Sequence, residues 1–238
     1  SRGVNSLLDL GSGVGTMVQL FLENLPRNWP LPAVTCVDVS GQALEHARRR
    51  LEPSVRELEV IASPVEELNL SRSYDVAMWG NGIHYLNEDQ LRIAMEKVRR
   101  ALEDGGWFFF NTAFTDESRP SETLPFYRAQ IRRAVRYLGT LGARREKRDA
   151  APESSRFLPA RHYATVLKEV GFAVKSMRTT AVRLYQTAWE HISGFAQYAS
   201  GALHGYPGNL AGAALQNAVG PAIEDYAERD EQNRPLVS

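Results

Sequence analysis

Short apolar runs alternate with amphipathic stretches through the first half of the chain, and that rhythm sets the expected fold. Leu7, Leu8 and Leu10 form a run around Asp9 that reads as a strand, followed by alternating glycines at Gly11, Gly13 and Gly15. Met17, Leu20, Phe21 and Leu25 then recur at helical spacing until Pro26, Pro30 and Pro32 close the segment. Residues 34–37 are a second apolar run ended by Asp38, with Ser40 placed to cap a helix carrying Leu44, Ala47 and Leu51 on one face. Residues 58–62 and 76–79 predict a third and a fourth strand, separated at 63–68 by a loop with at most one helical turn. Asn87 heads a helix marked by Leu91, Ala94, Met95, Val98 and Leu102, Gly105 and Gly106 stop it, and 107–110 form a fifth strand. Strands alternating with helices predict an α/β fold, doubly wound, with a mostly parallel sheet flanked by helices.

The rhythm changes after Ala113. Residues 119–148 hold nine basic side chains (Arg119, Arg128, Arg132, Arg133, Arg136, Arg144, Arg145, Lys147 and Arg148) against Glu122 and Glu146, a local charge of +7. Phe126, Ile131, Val135 and Leu138 predict a helix there, and 139–155 an irregular polar stretch. Pro159 starts a helix with Tyr163, Val166, Leu167 and Val170 that Gly171 ends, and 172–184 read as a long strand. From Trp189 the chain is helical, broken at 205–208, with a last helical stretch over 210–227 interrupted at Gly220-Pro221. The expected organisation is a core at 1–114, a basic, partly helical insertion at 115–158, a return to the core at 159–185, and a C-terminal helical cap at 186–238.

Composition narrows the setting. The 238 residues are 43% hydrophobic and 24% charged, enough for one large core with additions. Lys plus Arg and Asp plus Glu both total 28, so no overall field draws nucleic acid or a membrane surface. Cys36 is the single cysteine and cannot close an intrachain disulfide, which suits a reducing compartment. No apolar run is long enough to span a bilayer, and the start at Ser1 shows neither an initiator Met nor a secretory segment, so the chain reads as trimmed and cytoplasmic. The five histidines show no metal-ligand spacing, and no metal is expected.

The glycine turn decides the cofactor. A dinucleotide turn needs glycine at its first, third and sixth positions, and counting from Gly11 the sixth is Thr16. Gly11, Gly13 and Gly15 instead follow Asp9 as D-x-G-x-G-x-G, and here the sequence resembles the class I S-adenosylmethionine-dependent methyltransferases, small-molecule and lipid type, from about Asn5 to Phe114. The resemblance implies S-adenosylmethionine as cofactor and a class I methyltransferase fold. It implies that Gly11, Ser12, Gly13 and Gly15 let the backbone approach the ligand, that Asp9 meets the methionyl ammonium, and that Val39 lies against the adenine. Asp38, at the end of the second strand, is placed to accept from both ribose hydroxyls. Where the family has an acid for the adenine amino group this chain has Pro64, which leaves backbone contacts with the Val65 N–H, or Ser63, to meet the adenine; a plain surface turn is the competing reading.

The segment Trp79, Gly80, Asn81, Gly82, Ile83, His84, Tyr85 resembles the family stretch that passes the sulfonium and the acceptor, which implies Trp79, Gly80 and Asn81 as cofactor-binding residues. It lacks the Asn or Asp, Pro-Pro and aromatic of amino-group methylases, which argues against nucleic-acid bases as acceptors. His84 is the candidate base and Tyr85 its candidate partner; core packing is the alternative for both. The expected function is methylation of an oxygen or carbon on a small-molecule or lipid-like acceptor. The alternatives are an acceptor tethered to a carrier protein or coenzyme A, with the basic insertion as an acidic carrier's docking surface, and a non-catalytic cofactor-binding or interaction module. A solvated helix face is the plainer account of the basic insertion, and a nicotinamide oxidoreductase is disfavoured by Thr16.

Overall fold

A computed structural model describes residues 3–118, 120–146 and 153–237. Of the nine basic residues noted above, Arg119, Lys147 and Arg148 lie outside the described residues, as do Arg2 and residues 149–152 of the expected irregular stretch. The chain runs β1 (Ser6–Leu10), α1 (Thr16–Glu23), β2 (Ala33–Asp38), α2 (Gly41–Leu51), β3 (Glu57–Ala62), β4 (Tyr74–Gly80), α3 (Glu88–Ala101), β5 (Leu102–Asn111), α4 (Leu124–Thr140) and α5 (Ala160–Glu169). It continues with β6 (Leu184–Tyr185), α6 (Gln186–Gly194), α7 (Ala196–Ala202), α8 (Gly208–Tyr226), β7 (Glu228–Arg229) and β8 (Pro235–Val237). Two compact units emerge, one from 1–113 with 161–174, the other from 114–160 with 175–238.

The first unit is a five-stranded, all-parallel sheet in the order β3-β2-β1-β4-β5. Leu7, Val34, Cys36, Val76 and Met78 of the sheet pack with Val18 of α1 and Leu44, Ala47 and Leu51 of α2 in one core cluster. Sequence signals for the helix starts hold in detail: Ser40 Oγ accepts from the Ala43 N–H at 3.2 Å. At α3, Asn87 Oδ1 accepts from the Gln90 N–H at 2.9 Å while Gln90 Oε1 accepts from the Asn87 N–H at 3.0 Å, a reciprocal cap. β5 begins at Leu102, earlier than the expected 107, because Tyr74 pairs with Leu102 before the ladder is disrupted and resumes at Val76 with Trp107. Gly105 takes φ +80° in that excursion. No helix among the described residues is long and apolar enough to cross a membrane.

The second unit is helical, with α8 packed along α4, α6 and α7. One cluster gathers Ala134, Leu138, Ala199, Leu203, Leu215 and Ala218, and another Phe126, Trp189, Val219 and Ile223. Two expectations are corrected here. Residues 172–183 form no strand, and only Leu184–Tyr185 pairs, antiparallel to β8 in a small sheet ordered β6-β8-β7. Alternating apolar residues make a strand only where a neighbour takes the backbone hydrogen bonds, and 172–183 finds none. The final helix is not interrupted at Gly220-Pro221, since α8 runs through both. Ala218, Val219, Ala222 and Ile223 on either side of the proline are buried, and that packing outweighs the N–H the ring removes.

Candidate functional site

The strands of the first unit end at one level. Leu10 pairs with Val37 on one side and Trp79 on the other, Asp38 with Ala62, and Gly80 with Asn111. β1 lies between β2 and β4, where the winding of the sheet reverses, and ligands of open α/β sheets bind in the crevice outside the carboxyl ends at such a point. The sequence-selected residues Asp9, Gly11, Ser12, Gly13, Gly15, Asp38, Val39, Gly80 and Asn81 all fall on or beside these ends.

The glycine turn is built by left-handed backbone. Gly11, Gly13 and Gly15 have φ of +63°, +51° and +80°, which L side chains rarely adopt. Gly15 is also enclosed, since a Cβ there would stand 2.8 Å from Leu51 Cδ1. Ser12 pins the turn to the sheet: its Oγ donates to the Asp9 carbonyl at 2.7 Å and accepts from the Val37 N–H at 3.1 Å, and its own N–H donates to the Val37 carbonyl at 2.9 Å. Asp38 ties the turn to the next helix, its carboxylate accepting from the Gly13 N–H and the Ser40 N–H, both at 2.8 Å.

Asp9 is 1% exposed, and its Oδ2 has no hydrogen-bond partner among the described residues. Burial, with a smaller contribution from the charge of Asp38, raises its pKa from 3.8 to about 7. A buried carboxyl oxygen facing no donor is an uncompensated acceptor, which either a proton or a ligand cation would satisfy. Val39, by contrast, is 68% exposed at the end of β2, an apolar surface suited to a ring face. Val65 opens a single 3₁₀ turn, so its N–H lacks an intrahelical partner, while neighbouring Glu66 accepts from Gln90 Nε2 at 2.6 Å.

Across the crevice, Trp79 is buried beneath the loop that follows β4. A Cβ on Gly82 would lie 2.2 Å from the Trp79 indole nitrogen, and one on Gly11 3.3 Å from it, so the ring fills the space both glycines leave. Asn81 takes φ +49°; its N–H donates to the Asn111 carbonyl and its Oδ1 accepts from the Ala113 N–H, each at 3.1 Å. His84, 5% exposed in a 3₁₀ turn, has Nδ1 3.0 Å from Thr112 Oγ1 and its ring 4.2 Å from that of Tyr85. Burial lowers the His84 pKa to about 4 and raises that of Tyr85. Sequence reasoning missed Thr112, together with Met17, whose Cγ would stand 3.2 Å from a Cβ on Gly80. Both reach the site through strand pairing and helix packing, and only their places at an element's end hinted at it. No group of three or more His, Cys, Asp or Glu among the described residues is arranged to hold a metal.

Several known proteins are similar to parts of this chain. The family model described as "Methyltransferase domain" matches residues 7–106. Malonyl-[acyl-carrier protein] O-methyltransferase of Acetivibrio thermocellus is 27% identical over 112 residues, which is 47% of this chain and 37% of that protein. The chain therefore spans little more than a third of the length of the curated relative it matches. Among solved structures, N-methyltransferase NodS from Bradyrhizobium japonicum is 16% identical with a TM-score of 0.47, covering 76% of this chain and 69% of that one. An S-adenosylmethionine-dependent methyltransferase from Clostridium acetobutylicum is 18% identical with a TM-score of 0.40, covering 61% and 50%.

Proposed function

We propose, because residues 7–106 match the family model described as a methyltransferase domain, that this chain is an S-adenosylmethionine-dependent methyltransferase acting on an oxygen or carbon of a small-molecule or lipid-like acceptor. The observation that carries the reading is the unpartnered Asp9 oxygen buried behind a turn of three left-handed glycines. Asp9 would hold the cofactor's ammonium, the backbone of Gly11 to Gly15 its amino-acid portion, Asp38 its ribose, and Val39 with the Val65 N–H its adenine. When bound, S-adenosylmethionine supplies an electrophilic methyl group on a sulfonium.

The acceptor side rests on the turn after β4. Burial holds His84 neutral, and a base role requires its Nδ1–H to donate to Thr112 Oγ1 so that Nε2 is the nitrogen that takes a proton. A carboxyl acceptor is already ionised at neutral pH and needs no base, so a base at His84 would serve an alcohol or an activated-carbon acceptor. Trp79, Gly80 and Asn81 would line the cofactor's sulfonium end, and the Tyr85 ring lies tilted against that of His84 at 4.2 Å.

The test is release of S-adenosylhomocysteine with carboxylic, hydroxylic and activated-carbon acceptors. Release with none, despite calorimetric binding of the cofactor, would leave a binding module. His84→Ala is expected to slow transfer by about 100- to 10,000-fold with cofactor affinity intact. At saturating S-adenosylmethionine the wild-type rate should also show no acid limb near the ordinary histidine pKa of about 6.5. An unchanged rate in the variant would make His84 a packing residue.

A second reading is favoured by the relative's name: the acceptor is an acyl group borne by a carrier protein. It predicts that malonyl-carrier protein is methylated faster than malonyl-pantetheine at equal concentration.

A further inference from the structure

Helix α4 presents one face to the core and another to solvent. Phe126, Ala129, Gln130, Ala134 and Leu138 are buried, and Gln130 Nε2 donates to Ser193 Oγ at 2.8 Å and the Leu215 carbonyl at 3.2 Å, which fixes the helix's rotation within its own unit. The outward face carries Arg128, Arg132 and Arg136, all exposed and spaced by four residues. At 1.5 Å rise per residue the three guanidinium-bearing positions follow one another about 6 Å apart along a line of about 12 Å. None of the three has an ion-pair partner among the described residues, whereas Arg133, on the flank, is paired with Asp225 at 2.6 Å. No acidic residue lies between 123 and 145, so the helix offers no carboxylate to neutralise the stripe.

We propose that this stripe docks the acidic, helical face of the carrier protein that presents the acceptor, an inference that rests on the carrier-borne reading above. A helix with carboxylates one turn apart repeats at the same 6 Å or so, and arginine's planar fork pairs with carboxylates in a fixed geometry. A membrane surface fits less well, because among the large apolar residues only Val135 shares the outward face and a helix that lies in a bilayer needs an apolar face to insert. A nucleic acid fits less well too, because the chain as a whole is neutral.

The experiment measures binding of fluorescently labelled holo-acyl carrier protein to the full chain by anisotropy, beside turnover of its malonyl form. Expected is binding that weakens as salt rises from about 20 to about 300 mM, and at least a tenfold loss at low salt in the triple variant Arg128→Glu, Arg132→Glu, Arg136→Glu. The triple alanine variant should give a smaller loss in the same direction, with circular dichroism and cofactor affinity of both variants at wild-type values. No binding at low salt, or binding indifferent to both variants, overturns the docking surface. So does arginine-dependent capture by phosphatidylglycerol vesicles when the carrier does not bind. Binding that depends on the arginines without methylation of the malonyl form keeps the surface and overturns the carrier-borne acceptor.

Discussion

A single carboxylate sets the pH behaviour of the site. The Asp9 carboxyl titrates at about 7 in the fold against an ordinary value of 3.8, so between those values the folded protein holds a proton that the unfolded chain has released. Its contribution to stability is complete below the lower value and is lost as pH rises through the upper one, roughly 4 kcal/mol in all. Asp9→Asn cannot ionise, and its melting temperature relative to the wild type should therefore climb between about pH 4 and pH 8. Ligand binding moves the other way: an ammonium pairs with the ionised form, so wild-type affinity for S-adenosylmethionine should tighten towards pH 7 and level off above it. In calorimetry the variant should bind at least about tenfold more weakly and lose that slope. A variant whose affinity and melting curve both track the wild type's would remove Asp9 from the site. Asp9 and Asp38 were legible from sequence because each ends an apolar run. Thr112 was not, because its closeness to His84 arises only when β5 pairs with β4.

Among the elements, the glycine turn and the cap of α3 are local structures, and both were readable from consecutive residues. Gly15→Ala places a side chain at φ +80° and against Leu51, and should lower stability by about 2 kcal/mol or more in urea denaturation, with cofactor binding weakened as the turn shifts. Asn87→Ala removes the side-chain acceptor of the Gln90 N–H, leaving the bond from its own N–H to Gln90 Oε1, and should cost about 1 kcal/mol by the same measurement, with little effect on cofactor affinity. The elements that eluded sequence reasoning depend on distant partners. The apolar positions of 172–183 carry a strand-like pattern without a neighbouring ladder, and Pro221 punctuates a helix whose burial on both sides holds it together. Local pattern reports what a segment prefers, and in these two places packing decided otherwise.

At the scale of the molecule, each unit closes its own hydrophobic core. Leu215 is fully buried among Ala134, Leu138, Ala199 and Ala218 of the second unit. Leu215→Ala should destabilise that unit by about 2–5 kcal/mol, visible as earlier loss of helical ellipticity. Cofactor affinity should stay at the wild-type value at temperatures where the first unit is folded, and a parallel loss of binding would show that the two cores are not separable. The parallel sheet was legible because its strands and helices alternate within short stretches of sequence. The helical unit was less so, since 114–160 and 175–238 join across the first unit's α5.

Asn81 and Gly82 give the turn after β4 a chemical lifetime. The Trp79 indole leaves no room for a side chain at position 82, and Asn81 bridges the ends of β4 and β5 through its own amide oxygen. The fold thus keeps an asparagine-glycine pair, the dipeptide most open to succinimide formation, two residues before His84. Holding the amide oxygen on the Ala113 N–H slows that ring closure, but each closure that occurs ends as aspartate or isoaspartate, and isoaspartate lengthens the backbone by a methylene. Peptide mapping of aged protein should therefore find isoaspartate at position 81, beside the turn that carries His84.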